Sequence, residues 1–113
     1  MANRNPLLDT PPYPVEHALA QLGENLRTAR LRRNFTREEV GERIGAGTRA
    51  IASAEQGKAS TGIGIYLGLL WAYDLLGAIE TLADPTQDKI GLANAAADER
   101  ARARRSRELD DEF

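Results

Sequence analysis

Among Thr48, Arg49, Ala52 and Ser53, which share the outward side of one short helical pattern, Arg49 is the one side chain whose planar guanidinium offers two parallel donors that match O6 and N7 of a guanine. Beside it, Thr48 can bond a base edge or offer its methyl to thymine, and Ser53 is a weak, versatile donor. Ala52 brings apolar contact only. So short a reading set leaves part of any base preference to duplex shape. Arg37 falls in the first turn of a preceding helical pattern, where unpaired backbone N–H groups attract phosphate. Other chemistries lack their residues. There is no cysteine, so neither a disulfide framework nor a zinc-thiolate site is available. The one histidine, His17, has no evident nucleophile partner, and no glycine-rich phosphate cradle follows a strand. The expectation is a protein that is not an enzyme and carries no cofactor or metal.

The elements that must position these side chains run from Phe35 to Lys58. Thr36 with Glu39 three residues on can satisfy two orphan N–H groups reciprocally and so start a helix. Val40 and Ile44 then share a face. Gly45-Ala46-Gly47 makes a turn, Ile51 and Ala54 resume the apolar stripe, and Gly57 supplies a stop. Two short helices joined by such a turn form a helix-turn-helix, whose second member can enter a major groove.

This spacing resembles the Xre/phage-repressor family at Thr36, Arg37, Val40, Gly41, Gly45, Ile51, Glu55 and Gly57. It departs from the family where Arg37 replaces Gln, Gly41 replaces Ala, and Gly47 stands where a Ser or Thr often caps the recognition helix. The resemblance implies DNA contacts from Thr36, Arg37, Gly47, Thr48, Arg49, Ala52, Ser53, Gln56, Lys58 and Ser60. It also implies an ion pair between Arg30 and Glu55 that ties the first helix to the end of the recognition helix. The fold expected is all-α, a five-helix lambda-repressor-like domain over residues 15–84. An extended arm over residues 1–14 would precede it, and a partly helical or disordered tail over 85–113 would follow.

Composition agrees with one small domain plus tails in 113 residues. The formal charge of −2 argues against a blanket coat for nucleic acid, so charge placement matters more. Six basic residues fall between Arg27 and Arg43, whereas residues 59–97 hold four acidic residues and one lysine. That split suggests a DNA side and a protein side. Pro6, Pro11, Pro12 and Pro14 make the first segment read as extended. Val15, Leu19, Leu22, Leu26 and Ala29 then mark an amphipathic helix ending at Asn34, with arginines clustered at its carboxyl end, where cations favour the helix dipole.

A fourth helix, capped by Ser60 or Thr61, should run from Gly62 to Leu76 with Asp74 its one charge. Apolar all round, it is expected to need a second surface at Tyr66, Leu69, Trp71 and Tyr73, and therefore a dimer or partner interface there. Ala78–Ala83 should form a short fifth helix whose Ile79 and Leu82 extend that interface. The tail has high helix propensity, is rich in Ala and Arg, and closes on Glu108, Asp110, Asp111 and Glu112. No apolar run reaches the ~20 residues that span a bilayer, and no secretory signal is evident, so a cytoplasmic, membrane-free protein is expected.

Leu69 to Leu92 further resembles the HipB-like antitoxins, which bind a HipA-like serine/threonine kinase toxin and repress their own operon. The resulting expectation is a dimeric repressor on a palindromic double-stranded operator, acting as the antitoxin of such a pair. The alternative is an adaptor that keeps the helix-turn-helix scaffold without reading DNA.

Overall fold

A computed structural model describes residues 5–111, among which every regular element is helical. One helical turn, α1 (Pro6–Asp9), opens the described chain. Asn5 caps it by accepting from the Leu7 N–H, and Pro6 occupies the first helical position, where a missing N–H is harmless. α2 (Tyr13–Arg32) likewise starts on Pro12 and Pro14. The extended arm expected over residues 1–14 is thus corrected at 6–9 and 13–14. Proline's fixed φ suits a first helical turn as well as an extended strand. Residues 1–4 of that arm lie outside the described residues, as does Glu112 of the tail.

α3 (Arg37–Ile44) starts with the full capping box: Thr36 Oγ1 accepts from the Glu39 N–H, and Glu39 accepts from the Thr36 N–H, both at 3.0 Å. α4 (Thr48–Glu55) follows the Gly45–Gly47 turn, with Gly47 at its N-cap. α5 (Ile63–Ala72) begins after Gly62 with no side-chain cap, so neither Ser60 nor Thr61 plays the part expected of it. α2, α4 and α5 end alike. Asn34, Gly57 and Asp74 adopt left-handed φ values of 57°, 71° and 59°. Each allows a backward N–H···O=C bond that closes the last turn, as Phe35 to Arg30, Lys58 to Ser53 and Leu75 to Leu70. Asp74 therefore stops α5 short of Leu76.

α2, α3, α4 and α5 pack around Leu26, Val40, Ile51, Leu69 and Tyr73, all fully buried. Here a second expectation is corrected. Tyr66, Leu69 and Tyr73 fill the protein's own core and offer nothing to a second surface. α5 can bury several sides at once because Gly68 leaves room for Ile44, whose Cδ1 would lie 3.3 Å from any Cβ there. The Tyr66 hydroxyl is satisfied internally, donating to the Lys58 carbonyl at 2.7 Å. Trp71, by contrast, stays 58 % exposed and Ile63 73 %.

The chain divides into two compact units between Gly77 and Ala78. The domain end expected at residue 84 falls within the second unit, as do Ile79 and Leu82. A 3-10 helix, Leu76–Thr81, replaces the expected α-helix over 78–83, with Ile79 half-buried and Leu82 exposed. Asp84 then caps a turn, accepting from both the Thr86 N–H and its hydroxyl. The tail is helical: α6 (Lys89–Asp111) has no buried residue. Among the described residues no helix is long and apolar enough to cross a membrane.

Candidate nucleic-acid interface

The outward face of α4 is presented by fastening its far end. Glu55 accepts from Arg30 Nε at 2.7 Å, Arg30 Nη2 at 3.2 Å and Arg37 Nε at 3.0 Å. Arg30 also donates to the Phe35 carbonyl at 2.9 Å, so one guanidinium joins α2, the loop before α3, and α4. Arg30 and Glu55 are both buried, each 7 % exposed. Burial pushes the Glu55 carboxyl up, but the hydrogen bonds from Arg30 and Arg37 outweigh it and leave it below the ordinary carboxylate value. The bond to Glu55 raises Arg30 in turn, against the effect of burial.

Two glycines let the backbones close on this junction. A Cβ on Gly23 would lie 2.6 Å from the Ala54 carbonyl oxygen and 2.7 Å from that of Glu55. Gly57, left-handed, rests against the Leu19 backbone. Sequence reasoning missed Gly23. Its signal was available, as a glycine one turn beyond Leu19 on the apolar stripe of α2, where an isolated glycine usually has a packing reason.

At the other end, Thr48 and Arg49 are exposed while Ala52 and Ser53 are half-buried. The Arg49 guanidinium has no partner among the described residues. Gly47 contributes no side-chain cap, leaving the first-turn N–H groups of α4 without a side-chain acceptor. Thr36 spends its hydroxyl oxygen and its N–H on the capping box. Arg37 has one donor committed to Glu55 and a side chain 44 % exposed, so its orientation is set by that carboxylate.

Gln56, Lys58 and Ser60 come together away from Arg49, on a groove of about 590 Å³ that is also lined by Leu8, Asp9 and Glu16. Two carboxylates thus line the groove of these expected phosphate contacts, because the arm is helical at α1 and at the start of α2 where an extended segment is expected. Arg33 and Arg43, though exposed, are also engaged within the fold. Arg33 bonds the Ala29 and Tyr73 carbonyls and lies 5.4 Å from the Tyr73 ring centre, and Arg43 lies 5.7 Å from that of Phe35. The buried Tyr73 hydroxyl has no partner, and burial followed by the charge of Glu55 pushes it up to about 12. Among the described residues no three His, Asp or Glu side chains gather as metal ligands would.

Comparison of the chain with family models, curated proteins and solved structures gives no match.

Proposed function

We propose that this protein is a sequence-specific DNA-binding repressor whose α3 and α4 form a lambda-repressor-like helix-turn-helix. The observation that carries the reading is Arg49, exposed and unpartnered at one end of α4 while Glu55 is locked by two arginines at the other. A reading side chain needs such a rigid mount, because a bidentate contact tolerates little error in position. Phosphate contacts from the free edge of Arg37 and the first turn of α4 would add affinity that falls with salt. In a symmetric dimer, two copies of α4 about 34 Å apart would meet successive major grooves of a palindromic operator. Ile63 and Trp71 support α5 as the self-association surface, since they are the exposed large apolar side chains of that helix.

The likeness of residues 69–92 to HipB-like antitoxins extends the proposal to a HipA-like serine/threonine kinase toxin as protein partner. Exposed Leu82, Ile90 and Leu92 support such a docking role. A second reading, an adaptor that reads no DNA, draws support from Glu16, which lines the same groove as Lys58 and would repel phosphate there. Selection from a random duplex pool separates the two. A repressor enriches a two-fold-symmetric site with half-sites one helical turn apart; an adaptor enriches none.

A further inference from the structure

Five arginines fall within eight residues of α6: Arg100, Arg102, Arg104, Arg105 and Arg107. Arg100, Arg104 and Arg107 sit four and three residues apart and so share one face of the helix, all three exposed. Arg100 has no carboxylate three or four residues away on either side, its neighbours there being Ala96, Ala97, Ala103 and Arg104. Arg104 has Arg100 and Arg107 on either side of it along the face and Glu108 four residues on, while Asp110 and Asp111 follow Arg107 by three and four. Like charges at these spacings destabilise a helix, and the nearby carboxylates close no ion pair with these three arginines in the structure. The ion pairs among the described residues are those of Glu55, and none involves α6.

The occupant that such a face fits is a polyanion. A second copy of α6 in register is a poor fit, because acidic residues flank the arginine block at both ends, Asp98 and Glu99 before it and Glu108, Asp110 and Asp111 after it, and like would meet like. In-register pairing, parallel or antiparallel, would set arginine on arginine. A lipid surface is also a poor fit, because Ile90, Leu92 and Leu109 point in three different directions at 100° per residue and form no apolar face. Arg100 to Arg107 span about 10 Å of helix, a length over which duplex DNA presents about six phosphates. We infer that the Arg100–Arg104–Arg107 face binds the phosphate backbone of duplex DNA as a sequence-independent contact separate from α4. The choice of DNA as occupant rests on the reading of α4 proposed above.

The test compares the full chain with its R100Q/R104Q/R107Q variant on a random-sequence duplex, with affinity measured against salt concentration. Three lost phosphate contacts should make the log–log salt slope shallower by about 2.7, and circular dichroism should show the helix content unchanged. R102Q/R105Q, on the opposite face, should leave the slope within about one unit. An unchanged slope in the triple variant overturns the inference, as does wild-type chain that binds no duplex, or that prefers anionic vesicles or single-stranded RNA. Recovery of a symmetric site with an unchanged slope sinks this inference alone. A lost slope with no site enriched sinks the α4 reading alone.

Discussion

Replacing Glu55 with alanine probes the junction that holds α4 in place. The substitution removes three hydrogen bonds at 2.7, 3.0 and 3.2 Å. It leaves Arg30, 7 % exposed, with the Phe35 carbonyl as its remaining acceptor. Stranding one member of a buried pair costs about 3–5 kcal/mol, a large share of the roughly 5–15 kcal/mol that holds a domain together. Each 1 kcal/mol moves Tm by about 4–8 °C in a domain of this size, so Glu55→Ala should melt at least about 12 °C lower. Replacing the pair outright, as R30M/E55L, should recover most of the loss, because no buried charge is then left unpaired. The sign of the pH dependence follows from the depressed folded-state pKa of Glu55. Its contribution is complete above the unfolded carboxylate value of about 4.3 and is lost as pH falls through the folded value. The gap between wild type and Glu55→Ala should therefore close in acid. Urea melts at several pH values measure it. A deficit under about 1 kcal/mol at neutral pH, or one that stays constant into acid, would refute the role given to Glu55.

Gly23→Ala should destabilise the fold by about 1–3 kcal/mol in urea melts, because its Cβ meets the carbonyl oxygens of Ala54 and Glu55. Wild-type stability there would mean that α2 and α4 can part freely. Tyr73→Phe should be neutral or mildly stabilising, since the hydroxyl it removes is buried without a partner. A loss of more than about 1 kcal/mol would reveal a bond that the structure does not contain. Trp71→Ala, at a side chain 58 % exposed, should leave the melting temperature nearly unchanged while shifting sedimentation toward monomer. Equal sedimentation would remove α5 from any interface.

The succession α2 to α5 in the first unit was legible because its signals are local. Thr36 with Glu39, the 45–47 glycine turn, Gly57 and the four-residue apolar spacing each need only a few neighbouring residues. The Arg30–Glu55 pair was legible through resemblance, since nothing local joins residues that far apart. What failed depended on packing. An apolar sequence cannot say how many sides of α5 its own unit will cover, and Gly68 decided that in favour of burying Tyr66, Leu69 and Tyr73. Prolines that read as extended began α1 and α2 instead, bringing Asp9 and Glu16 to the groove with Lys58. Arg37 has its Nε held by Glu55, a partner eighteen residues away that no local pattern points to.

Arg49 is the residue on which the proposed DNA reading turns. On a duplex recovered by selection, Arg49→Ala should weaken binding by about 1–3 kcal/mol, with the lost discrimination confined to one base pair in each half-site. Unchanged affinity and unchanged base preference in that variant would contradict the assignment of α4 as the reading helix.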